Sequence, residues 1–269
     1  PARVGFQVTG TEGVEVFESP LGEFPAADRA VAAAAQLSEA VLTIDLPADT
    51  AFDEPVIVNV SAAAPQAIGR MQINVGAGSR ATVVLDQSGN TAQSIAVGFE
   101  LGDSANLRVI AVQDAGDAGV LLAQHAFGLG ESANLDYRSA TLGGGVVRVH
   151  TTVDYRAAGG NAKLAGAFFT TDGQHHEHRL FVGHELPNCT SDVVYKGAIQ
   201  GDESHSVWVG DVLIRVDDFP AEDVLADLGR QLQSAPAQHP LDVRAGKIGQ
   251  ERRRPLTRPF LHPSSPWPN

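Results

Sequence analysis

The residues best equipped for chemistry crowd into one stretch, Gln174 to Arg215, which reads QHHEHRLFVGHELPNCTSDVVYKGAIQGDESHSVWVGDVLIR. In an extended strand His176 and His178 project to one face, while His175 and Glu177 project to the other. Two imidazoles on one face suit a transition metal if a third ligand arrives from a neighbouring strand, so His176 and His178 are candidate metal ligands. Cys189, the single cysteine of the chain, is the third candidate. A thiol ligates or attacks as thiolate, which needs nearby positive charge or partial exposure. His184 and Lys196 are the close sources in sequence. Cys189 reads more readily as a small, inert buried side chain lining the coil. His150, His178 and His205 follow one another at 28 and 27 residues, close to one rung each, a spacing that would make a ladder of imidazoles on one outer face, although coincidence among nine histidines is the favoured reading.

Other reaction classes find little support. Gly143-Gly144-Gly145 precedes Val-Val-Arg rather than Lys-Ser/Thr and a helix, so it is a tight turn and no phosphate loop. No Gly-x-Ser-x-Gly elbow occurs. Asp136, Asp154 and Glu177 are carboxylates on strand-like segments, but no spacing brings two of them to one spot, as glycoside chemistry requires. No catalytic residue is assigned, and the chain reads as no enzyme.

The elements that carry these residues are strands. Runs of β-branched and apolar residues bounded by Gly, Asp, Asn or Ser begin at Val41–Leu46 and Pro55–Val60 and continue to Val207–Val216. A pattern Gly-x-x-Ala-x-[Val/Leu] starts at Gly78, Gly102, Gly130 and Gly159, in steps of 24, 28 and 29 residues. Such a period marks one supersecondary unit stacked repeatedly. The fold class is all-β, a β-solenoid, with Ala81, Ala105, Ala133 and Ala162 expected at matching positions in successive rungs. Residues 1–40 form an N-terminal leading segment without evident partners, and a short helix within the alanine-rich run from Pro25 to Val41 that would cap the coil. The core spans 41–216. Residues 217–269 hold eight of the fifteen prolines and Arg252-Arg253-Arg254, a composition expected to form a poorly ordered tail.

Composition agrees. Hydrophobic residues are 43% of 269 while aromatics are only 6%, which suits a narrow coil filled by Val, Ile, Leu and Ala. A net charge of −13 argues against nucleic-acid partners. With no apolar run of about 18 residues and no signal-like start, no membrane partner is expected and the location is expected to be cytoplasmic.

Several spaced motifs resemble the SufB/SufD family, the scaffold subunits of the Suf iron–sulfur cluster assembly system. They are His184-x-x-Pro187-Asn188-Cys189-x-Ser191, then Tyr195-Lys196-Gly197, then Ser206-Val207-x-Val209-Gly210. The segments LGGGVVRVHTTVDYRAAGGNAKL (142–164) and DGQHHEHRLFVGHELPNCTSDVVYKGAIQGD (172–202) resemble the SufD branch more than SufB. The resemblance covers residues 40 to 215. It implies a right-handed parallel β-helix that pairs with a SufB-type partner and docks a SufC-type ATPase. It also implies no intrinsic cofactor, an iron–sulfur cluster being assembled at an interface with the partner. The pattern stops near Arg215: the family's Asn-rich strand, later Gly-His segment and C-terminal helical domain have no equivalent in residues 216–268, which puts the SufC contact in doubt and favours a shifted reading frame or a replaced C-terminus. Loss of the following rungs is expected to leave a sticky strand edge. The alternatives left open are a stand-alone metal-binding module, which needs a third ligand facing His176 and His178, and a β-helix carbohydrate enzyme, which needs carboxylates clustered in a groove.

Overall fold

The structure, a computed structural model, describes residues 1–214 apart from Thr11, Asp172 and Asp202. The tail placed at 217–269, and the end of the last expected strand at Val216, lie outside the described residues. In chain order the elements are β1 (Ala2–Arg3), β2 (Gly5–Thr9), β3 (Glu15–Ser19), α1 (Arg29–Leu37), β4 (Val41–Leu46), β5 (Val56–Ser61), β6 (Gln66–Val75) and β7 (Arg80–Gly89). They continue with β8 (Ala92–Leu101), β9 (Asn106–Ala115), β10 (Val120–Leu129), β11 (Asn134–Thr141), β12 (Val146–Tyr155), β13 (Asn161–Thr170), β14 (His175–His184), β15 (Thr190–Ile199) and β16 (His205–Ile214).

From β4 onward the even-numbered strands form one sheet and the odd-numbered strands a second, every pair within each sheet being parallel. This is a parallel β-helix whose two sheets face each other across a packed lumen. The alternation along each strand sends one set of side chains inward, as in β7 and β9, where Ala81, Val83, Leu85, Leu107, Val109 and Ala111 are buried.

Residues 2–19, expected to lack partners, have them. β2 runs antiparallel to β5, β3 runs antiparallel to β4, and β1 joins β6. The helix also differs from expectation. It starts at Arg29, not near Pro25, because the Asp28 carboxylate accepts hydrogen bonds from the backbone N–H of Ala30 (2.8 Å) and Val31 (3.0 Å) and so caps the first turn. It lies on the outer face of the even sheet and not over an end of the coil, burying Val31, Ala34 and Ala35 against Ile68 and Ala96.

Register decides what the repeat meant. Successive rungs of the even sheet from β6 are 26, 28, 26, 29 and 30 residues apart, because the corners differ in length. In the odd sheet Ala81 aligns with Leu107, Leu107 with Leu135, and Leu135 with Ala162. Ala105 and Ala133 lie two residues earlier, so the four alanines do not make one column. The column that does persist is a left-handed corner: Asp49, Gly78, Ser104, Ser132, Gly159 and Asn188 all have φ between 54° and 77°. Two of the four motif glycines, Gly78 and Gly159, sit there because glycine takes that conformation without strain. Gly102 and Gly130 occupy a different position two residues ahead of it.

The expected histidine ladder fails for the same reason. His178 aligns with Val149 and Trp208, His150 with Arg179, and His205 with His175. A slip of one residue between the counted spacing of 28 and the real step of 29 moves a side chain to the opposite face.

Candidate functional site

The lumen changes character along the coil. Early rungs are aliphatic, with Ile44, Val58, Val60, Met71 and Ile73 fully buried. Phe99 and Phe127 then stack at 4.5 Å, and around them buried polar side chains join the aliphatic lining. His125 Nδ1 lies 2.9 Å from the Tyr137 hydroxyl. Thr141 Oγ1 donates to Gln113 Oε1 at 3.0 Å. Burial lowers the His125 pKa to about 4 and pushes the Tyr137 phenol well above its usual value, so both are neutral near pH 7.

His176 and His178 share the inward face of β14, as strand alternation requires, and both are buried. His176 Nε2 is 3.2 Å from the Gly144 carbonyl oxygen and its Nδ1 is 3.3 Å from Thr170 Oγ1. His178 stacks on Phe168 (5.0 Å, 23°) and tilts against Tyr195. Its Nε2 has no hydrogen-bond partner among the described residues. Burial lowers its pKa to about 4. Tyr195 reaches its place by crossing Gly166, where an added Cβ would stand 2.1 Å from the Tyr195 ring.

Cys189 occupies a different place. It directly follows Asn188 of the left-handed column, so it fills the inward corner position that Ser79, Ala105 and Ala133 fill in earlier rungs, all buried. Six residues of strand separate His178 from His184, about 20 Å, and Cys189 lies beyond His184, so the three candidate ligands do not form one site. The Cys189 Sγ is 3.6 Å from the carbonyl oxygens of Ala157 and Pro187. Burial raises its pKa, and the backbone N–H groups of Gly160 and Gly159 only partly offset that. The thiol is therefore protonated near neutrality. Around it, His184 Nε2 meets Ser191 Oγ at 2.9 Å, the Tyr155 ring packs on His184 at 5.2 Å, and the Tyr155 hydroxyl donates to the Thr190 carbonyl at 2.6 Å. The spaced residues His184, Asn188, Cys189 and Ser191 thus make a locked corner between β14 and β15.

As the side chains stand, no three His, Cys, Asp or Glu residues among those described are placed to hold a metal ion. The carboxylates are dispersed. Asp136 is bound by Arg108 and Arg138 on the outer face of the odd sheet, and Glu177 by Arg179 on the outer face of the even sheet. A groove of about 690 Å³ beside α1 holds Glu100 and Asp154, but Arg156 pairs with Glu100 at 3.2 Å. His125 and Tyr137, which no sequence motif marks, face each other from opposite sheets, a relation that periodicity within one sheet does not reveal.

A family model described as SUF system FeS cluster assembly, SufBD core domain, matches residues 58–217. The chain belongs to the SufBD family. The SufBD core thus runs from within β5 to the end of the described coil. Iron-sulfur cluster assembly SufBD family proteins of Mycobacterium tuberculosis and Mycobacterium bovis are 38% identical over 196 residues, covering 70% of this chain and 49% of each relative. A homologue from Mycobacterium leprae is 38% identical over 195 residues, covering 70% and 50%. The chain spans about half the length of the curated relatives it matches. No helix among the described residues is long and apolar enough to cross a membrane.

Proposed function

We propose that this SufBD-family protein works as a non-catalytic, SufD-like scaffold subunit of iron–sulfur cluster assembly in the cytoplasm. In this reading it pairs with a SufB-like subunit, engages a SufC-like ATPase, and has an iron–sulfur cluster as cargo built at the subunit interface. The observation that carries the reading is the last described rung of the SufBD core. Among the described residues β15 and β16 each have a strand partner on one side only, and Val194, Ile199, Val212 and Leu213 are exposed there. An apolar rung paired on one side among the described residues is suited to continuing its sheets into a second protein. The chemistry of the interior fits a scaffold: burial lowers the pKa of His125, His176 and His178 and raises that of the Cys189 thiol, and the phenols of Tyr137 and Tyr155 are buried.

The test is co-purification. Tagged chain isolated from a native extract should retain SufB-like and SufC-like subunits in fixed proportion. Recovery of the folded chain without either would overturn the proposal.

A further inference from the structure

The register that dissolves the expected histidine ladder makes another pair. His175 begins β14, His205 begins β16, and they are direct neighbours on the outer face of the even sheet. Their rings stack at 5.9 Å with 19° between planes. Aligned residues of adjacent strands have Cα atoms about 4.8 Å apart. Rotation about each Cβ–Cγ bond can therefore bring one nitrogen from each ring to a common point, with metal–nitrogen distances of about 2.0–2.1 Å. Glu177, two residues on and on the same face, already has Oε2 at 3.7 Å from His175 Nε2. Its other oxygen is held by Arg179, and Arg148 is the next nearby cation, itself engaged by Asp28 at 2.8 Å. His205 is exposed, His175 is partly exposed, and β16 is the last strand of its sheet among the described residues, so an ion reaches the pair from solvent.

We infer that His175 and His205, joined by Glu177 when it leaves Arg179, form a surface site for a divalent transition-metal ion. Two imidazoles and one carboxylate, with water at the remaining positions, are donors that suit zinc, cobalt(II), nickel(II) or iron(II) and that disfavour calcium or magnesium. The site is separate from the buried His176 and His178, whose rings face the lumen from the opposite side of the same strand. It closes around the ion and is not formed beforehand, so Arg179 competes with the metal for Glu177.

Titration of the tag-free full chain with cobalt(II), followed by its visible absorption and checked by zinc competition, tests the inference. One equivalent should bind. His175→Ala and His205→Ala should each weaken binding at least about tenfold, a typical effect of losing a metal contact or its support. His150→Ala, on the same face but outside the pair, should leave binding unchanged, and Arg179→Ala should tighten it several-fold by freeing Glu177. All the altered residues are on the outer face, and thermal unfolding of each variant shows that the fold is kept. Unchanged affinity in His205→Ala, equal loss in His150→Ala, or no binding by the native chain would overturn the site.

Discussion

His184 Nε2 and Ser191 Oγ stand 2.9 Å apart across the corner that carries Cys189. The hydrogen bond ties the last residue of β14 to the second residue of β15, and the Tyr155 ring and the backbone of residues 157–160 wrap the thiol between them. The motif is a way of turning the chain from one sheet to the other while keeping a small side chain inward, and its cysteine is the occupant of that small position.

Cys189→Ala should therefore change stability by no more than about 1 kcal/mol, since it restores the residue used at the same corner in earlier rungs. In the native protein the thiol should react with a disulfide reagent far more slowly than free cysteine at pH 8, and the rate should rise only as pH passes above the usual thiol range, because burial raises its pKa. A fast reaction at pH 7 would show an activated thiolate.

Stability should fall on the acid side between about pH 6.5 and pH 4. His125 and His178 have folded pKa values lowered to about 4, so in that window the unfolded chain binds protons that the folded chain does not, and each group costs up to about 3 kcal/mol by pH 4. Urea unfolding across this range measures the slope. His178→Leu should keep its stability at pH 7, because the Nε2 it removes lacks a partner, and should show a shallower acid loss.

Gly166→Ala should destabilise the coil by about 1–3 kcal/mol, since the new Cβ meets the Tyr195 ring. In a Tyr195→Leu background the same change should cost much less. Additive losses in this double-mutant cycle would contradict the packing described.

Ser104→Gly and Ser132→Gly should each be neutral or stabilising by up to about 1 kcal/mol, whereas the same change at an ordinary strand position is costly. Both serines hold φ near +57°, at 59° and 55°, where glycine is at ease. Thermal midpoints of the two variants decide this.

The β-helix was legible in the sequence because strand-like runs recur between turn residues, and the family motifs lie in the chain order that the rungs follow. Register was less legible. Rung lengths vary by up to four residues, so counting along the chain aligns His150 with His178 when the true neighbours are His150 and Arg179. It missed the pair His175 and His205, which are 30 residues apart. Strand ends are also hard to read at β6 and β13, since Gln66 and Asn161 are polar residues that nonetheless pair in the ladder. The start of α1 was readable from Asp28, a strong N-cap type, but the alanine run after Pro25 outweighed it. The inward faces of His176 and His178 followed from alternation alone. The neutrality of His178 did not, because its burial depends on Phe168, Tyr195 and Trp208 arriving from other strands.

A SufB-like partner is proposed to join at β15 and β16, the last described strands of this SufBD core. Backbone hydrogen exchange of the chain, alone and with a SufB-like protein, tests it most directly. On mixing, amides of β15 (Thr190–Ile199) and β16 (His205–Ile214) should become strongly protected, while those of β6 to β10 should not change. A complex that forms with no protection at β15 and β16, or no complex at micromolar concentrations, would contradict it.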